Sequence, residues 1–166
     1  MPKSTQLTDP SVALAGAPQA KSADAIRAKA DALFRTACEC CRQHQRYARL
    51  VALPGLEIEQ RTARDIAKLW DETLEAMTAA YEKCTQRAHP NGDDEAWWQR
   101  ANALWHASRE YIRRHTMCEK ESRRAEERSS ARLGELQLDY ELEASALLAM
   151  QQALEAYKKV RPSAAV

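Results

Sequence analysis

From residue 22 onward, apolar side chains recur at alternating spacings of three and four, with no sustained period-two alternation. That rhythm belongs to amphipathic helices, which repeat about every 3.6 residues, and not to half-buried strands. The first stripe is Ile26, Ala30, Leu33, Ala37, Cys40, His44, Tyr47 and Val51; with Ser22 as N-cap it predicts a helix over residues 22–52. Leu53-Pro54-Gly55 ends it, because Pro54 disfavours helical dihedrals at Leu53 and Gly55 tolerates positive φ. A second stripe, Ile66, Leu69, Trp70, Thr73, Met77, Ala80, Tyr81 and Cys84, predicts a helix over residues 57–88, closed by the turn signal His89-Pro90-Asn91-Gly92. Asp93 or Asp94 caps a third helix over residues 94–124, carrying Trp97, Trp98, Ala101, Leu104, Trp105, Tyr111 and Ile112. Residues 119–132 are charged and hold no large apolar side chain; they read as a helix end at about 124 and a loop closing on Ser129 or Ser130 as the next cap. A fourth helix over residues 131–159 carries Leu133, Leu136, Tyr140, Glu143, Leu147, Met150, Leu154 and Tyr157, a seam with one carboxylate in it, and Arg161-Pro162 stops it.

Helices of roughly 28–32 residues span about 42–48 Å, and two short turns make sequential neighbours antiparallel. The expected fold is therefore all-α, an up-down-up-down four-helix bundle over residues 22–160. It is flanked by a flexible N-terminal tail, residues 1–21, and a short C-terminal tail, residues 161–166. Pro2, Pro10 and Pro18 interrupt the N-terminal stretch, and its apolar run over residues 12–17 is shorter than the roughly 7–15 residues of a secretory core. The same composition also suits a docking or secretion signal for a dedicated machine. No segment approaches the roughly 20 apolar residues of a membrane span.

Composition sharpens this picture. In 166 residues, 25 Lys and Arg balance 24 Asp and Glu, for a net charge of +1, so bulk charge offers no pull toward nucleic acid or an anionic membrane. Resolved by segment, the balance is not uniform. Residues 21–52 hold seven basic and three acidic side chains, residues 53–95 five and ten, residues 96–132 nine and five, and residues 133–157 none and five. The signs alternate, +4, −5, +4, −5, so each helix of an antiparallel bundle would meet neighbours of opposite charge. Exposed pairs contribute only about 0–1 kcal/mol each, but the alternation disfavours pairing like helices. Five cysteines, an odd number with no secretory signal, fit reduced thiols and a cytoplasmic location better than a disulfide framework.

Chemistry-bearing residues are few. In Cys38-Glu39-Cys40-Cys41-Arg42-Gln43-His44, Cys40 and Cys41 share a helix face with His44, and thiolate with imidazole is an ordinary zinc pair. Folding the chain at its turns brings His115 and the seam carboxylate Glu143 to the level of His44. A metal set of Cys40, Cys41, His44, His115 and Glu143 is thus one expectation; the other is that the cysteines are small core residues, His44 a core histidine, and no cofactor is held. No Glu is followed three residues on by His, against a di-iron carboxylate bundle. His106–Glu110 and His115–Glu119, each four apart, read as surface pairs. Arg109-Glu110-Tyr111-Ile112-Arg113-Arg114-His115 resembles the Arg-x4–6-His motif of the HEPN ribonucleases, which are all-helical; the resemblance implies phosphate chemistry by Arg109 and His115 at a dimer interface. It covers seven residues, and the stretch from Arg100 to His106 matches as well.

Trp98, Trp105 and Ile112 form one stripe at spacing seven, and Trp97, Leu104 and Tyr111 the adjacent one. Trp97, Trp98, Trp105 and Tyr111 are either wide-core filler or anchors for a partner. The basic residues between them are interrupted by Glu110, Glu119 and Glu121, which disfavours nucleic acid. With no phosphate loop and no nucleophile–base pair, the expected function is a non-enzymatic interaction or assembly protein that binds a protein partner or itself. A metal- or thiol-dependent sensor or enzyme built on Cys38, Cys40, Cys41 and His44 is the competing class.

Overall fold

The computed structural model describes residues 17–52, 57–84, 95–127 and 133–161. Four helices follow in order: α1 (Ala17–Val51), α2 (Glu57–Lys83), α3 (Glu95–Glu127) and α4 (Leu133–Lys158). They make the expected all-α antiparallel bundle, but with two longer helices, of 35 and 33 residues, alternating with shorter ones of 27 and 26. Residues 1–16, most of the expected N-terminal tail, and residues 162–166 lie outside the described residues. So do the turn at 85–94 and the expected cap at Ser129 or Ser130.

Helix α1 starts five residues before the expected Ser22 cap. Pro18 is no obstacle there, because a first-turn residue has no helical partner for its N–H. Helix α3 continues three residues past 124, well beyond Met117, its last large apolar side chain. Its last turns carry charge pairs at helical spacing, Arg124–Glu121 at 2.6 Å and Arg123–Glu119 at 4.0 Å, which support an exposed helix.

Packing is uneven. The α1–α2 and α3–α4 hairpins are each tightly joined, while the two hairpins meet more sparsely, through α1–α4, α2–α3 and the diagonal α1–α3. Small side chains, Ala30, Ala37, Cys41 and Ala80, are buried in the first hairpin. Aromatic rings bridge the hairpins instead: Tyr81 stacks on Trp105 at 5.3 Å, Trp70 lies 5.1 Å from His115, and Phe34 lies 5.4 Å from Tyr157. Large rings hold helix axes farther apart than alanine does. Among the described residues the backbones of the two acidic helices, α2 and α4, make no close approach, and the basic α1 and α3 meet across the centre through apolar faces. The arrangement thus keeps the like-charged acidic pair apart.

The core is formed by Leu33, Ala37 and Cys40 of α1, Met77 of α2, Leu104 and Tyr111 of α3, and Met150 and Tyr157 of α4, all essentially inaccessible. Among the described residues, Val51, Leu69 and Tyr140 of the expected stripes are exposed. A stripe spaced three and four drifts about 20° per heptad around a straight helix, so Val51 and Tyr140, toward the helix ends, swing out of the seam. At the Leu69–Trp70 pair the larger ring takes the inner position.

Beyond α4 the chain turns back on α1. The N–H groups of Val160 and Arg161 both donate to Tyr157 O at 3.0 Å. The Tyr157 hydroxyl donates to Asp31 Oδ1 at 2.9 Å, Arg161 Nε reaches the same oxygen at 3.2 Å, and the guanidinium lies 5.1 Å from the Phe34 ring centre. Arg161, expected in the C-terminal tail, therefore pins the end of the second hairpin to the first. Tyr157→Phe removes a hydrogen bond to a charged acceptor, and should lower unfolding stability by about 1.5 kcal/mol; urea denaturation measures this as a lower midpoint at unchanged slope.

Candidate functional site

Helix α3 turns Ser108, Tyr111, His115 and Cys118 toward the interior at spacings of three and four, and all four are buried. A polar row along a core face needs partners, and only part of this one has them. His115 Nδ1 lies 2.6 Å from Glu143 Oε1, the one carboxylate of the α4 seam. At that distance Nδ1 carries the proton and donates. His115 Nε2, Tyr111 Oη, Ser108 Oγ and Trp70 Nε1 are all buried without a hydrogen-bond partner. Glu119 Oε1, one turn on from His115, is 3.8 Å from Nε2, too long for a hydrogen bond.

Trp70 of α2 closes the site. Its ring lies between the two histidines, 4.9 Å from His44 and 5.1 Å from His115, with Tyr47 at 5.6 Å. An open cavity of about 640 Å³ lies against His44, Trp70, His115, Glu119 and Glu143. Burial pulls the His115 pKa down, but the hydrogen bond and charge of Glu143 outweigh it, so the value stands above the ordinary 6.5. Burial pushes Glu143 up, while the His115 and Cys118 side chains pull harder the other way and hold it below 4.5. His44 is lowered, by burial and by the positive charge of His115 against the opposing pull of Glu143, and stays neutral at pH 7.

The structure brings together three of the five expected metal residues, His44, His115 and Glu143, around one cavity. Cys40 and Cys41 are not part of that set. Burial raises the Cys40 thiol to about 11 and Cys41 to about 12, and raises Cys38 and Cys84. Cys118 stands at about 12 through burial and the neighbouring Glu143. Thiols held that high stay protonated at neutral pH, and it is the thiolate that attacks or ligates. Among the described residues one group of three candidate metal-ligand side chains has its ligand atoms within 4.8 Å of one another: Asp71, His115 and Glu119. Two of these were not among the expected site residues. The His115–Glu119 spacing was visible in the sequence, but His115 is buried and so does not form the expected surface pair. Asp71 had no signal at all, being one of many carboxylates on an acidic helix.

The tryptophans separate. Trp97 is 3% exposed and Tyr111 fully buried, so neither presents a surface to a partner. Trp98 and Trp105 are half-buried and wall a second cavity, of about 330 Å³, between α1 and α3. Ile26 and Leu33 form its other side, with Lys29, His106 and Arg109 also lining it. The Trp105 indole N–H is buried without a partner.

Arg109 therefore lines one cavity and His115 another. Glu143 already holds the His115 imidazole. Other arginines of α3 are paired: Glu110 takes Arg113 at 2.8 Å and Arg114 at 2.7 Å, and those bonds hold its carboxyl at about 2. No helix among the described residues is long and apolar enough to cross a membrane. No family model matches the chain, and neither a similar curated protein nor a similar solved structure is found.

Proposed function

We propose that the protein is a non-enzymatic binding module whose tryptophan-walled cleft grips an apolar anchor on an acidic helical segment of a protein partner. The observation that supports this best is the half-burial of Trp98 and Trp105 in a cavity of about 330 Å³. That volume lies within the range of about 300–1,000 Å³ typical of ligand sites, and partly exposed tryptophan is a common interface anchor. Lys29, His106 and Arg109 add positive or proton-donating groups, and the partnerless Trp105 N–H adds a donor. An apolar floor with donors around it favours a leucine-type anchor flanked by carboxylates. The chain's own α4 has that chemistry, with exposed Leu138 and Leu148 beside Glu141 and Glu155, so a second copy is one form the partner takes.

Burial that holds the thiols protonated at neutral pH disfavours the thiol-sensor alternative. A synthetic helical peptide with leucine at helical spacing and glutamate elsewhere is the probe. Its fluorescence anisotropy should show saturable binding, at least about tenfold weaker for Trp105→Ala and for a peptide with lysine in place of glutamate; 1.4 kcal/mol at the anchor is enough for that. No saturable binding, or binding indifferent to Trp105→Ala, overturns the reading. Light scattering over a concentration series then assigns the partner: an oligomer lost in Trp105→Ala is a second copy, and a strict monomer requires a different protein.

A further inference from the structure

His115 is placed more like a metal ligand than like a core histidine. Its side chain is 9% exposed, one ring nitrogen is fixed by a carboxylate at 2.6 Å, and the other is buried with no hydrogen-bond partner. A buried imidazole nitrogen left unpaired costs free energy unless something fills the position. Two carboxylates gather at the imidazole: Glu119 from the next turn of α3, whose Oε1 lies 3.8 Å from Nε2, and Asp71 from α2 of the other hairpin.

We propose that Asp71, His115 and Glu119 bind a first-row divalent transition-metal ion of the zinc type, with Glu143 orienting the imidazole. Three observations lead there. The three ligand atoms lie within 4.8 Å of one another; an ion about 2.0–2.2 Å from each needs separations up to about 4 Å, and both carboxylates are exposed and able to close the difference. The Glu143–His115 contact supplies the carboxylate behind a ligating histidine, which fixes the tautomer and leaves Nε2 for the metal. Arg123 stands 4.0 Å from Glu119 and is itself 77% exposed, so it holds that carboxylate only loosely against a competing cation.

One imidazole nitrogen beside two carboxylates selects against magnesium and calcium, which prefer all-oxygen shells. Three protein ligands leave at least one position facing the open cavity, where water or a ligand completes the shell. The ion would also tie α2 to α3 across the sparse junction between the hairpins, so binding should couple to stability. This site is separate from the tryptophan cleft and stands or falls independently of it.

Titration of the full chain with Co²⁺ and Zn²⁺ tests the proposal, followed by calorimetry and by cobalt absorption. The expected result is one ion per chain with a nitrogen–oxygen cobalt spectrum, and no comparable binding of Mg²⁺ or Ca²⁺. Asp71→Asn and Glu119→Gln change exposed side chains, so the helical circular dichroism should be retained while saturable binding is lost. Glu143→Gln should weaken binding about 10–100-fold while leaving the stoichiometry at one. Absence of stoichiometric binding overturns the site. So does binding accompanied by a sulfur-to-cobalt charge-transfer band, which would place the ion on the cysteines, or binding unchanged in Asp71→Asn and Glu119→Gln.

Discussion

Replacing Glu143 with leucine is expected to lower unfolding stability by about 3 kcal/mol or more, because it leaves the His115 imidazolium buried without its counter-charge. The two side chains are 9% and 14% exposed, so solvent screens their attraction little. Replacing both with leucine should cost much less than the single change, since an apolar pair needs no compensation in the interior. The pH dependence has a definite sign. His115 titrates above 6.5 in the fold, so its contribution is complete below about 6.5 and is lost as pH rises through the raised value. Glu143 titrates below 4.5, so its contribution is complete above about 4.5 and is lost as pH falls through the lowered value. The stability difference between the wild type and Glu143→Leu should therefore be largest between about pH 4.5 and 6.5 and narrow on either side. Urea denaturation of the two proteins across that range measures it. A difference that keeps growing as pH rises above 6.5 contradicts the ion-pair account.

Trp97→Ala is the second large effect. The indole is 3% exposed and lies among Arg27 of α1 at 5.5 Å, Trp98 at 6.4 Å and Tyr157 of α4 at 6.3 Å. Truncation removes its apolar burial and opens a void continuous with the cleft, at a cost of about 3–5 kcal/mol. In a domain of this size each kcal/mol moves the melting temperature by roughly 2–4 °C, so thermal unfolding monitored by circular dichroism should drop by about 10 °C. The same change at Trp98, which is half-buried, should cost distinctly less. Equal losses at the two positions would mean that Trp98 is as much a core residue as its neighbour. The comparison therefore separates scaffold from binding surface within one pair of adjacent residues.

Much of the fold was legible along the chain. The spacing of Leu33, Ala37 and Cys40 in α1, and of Leu147, Met150, Leu154 and Tyr157 in α4, marks buried faces that the structure keeps. Glu143 stood out as a carboxylate inside an apolar seam, and counting residues back from the turns placed it level with His115, which it does contact. Val51, Tyr140 and the half-buried Trp98 were not separable from their buried stripe-mates, because small angular drifts along a long helix decide which flank of a stripe meets its neighbour.

The sequence alone determined what each helix owns by itself: its period, its inward residues near mid-length, its turns and the alternating sign of its charge. These depend on residues a few positions apart, whose relative placement the helix geometry dictates. Only the tertiary structure decided which side chains from different helices converge. It split the bundle into two tight hairpins, divided the tryptophans between core and cleft, and brought Asp71 on α2 beside His115 and Glu119 on α3. Convergence of that kind depends on the rotation and axial offset of packed helices, and those are set by the sizes of the side chains between them, such as Trp70 and Trp105, acting together.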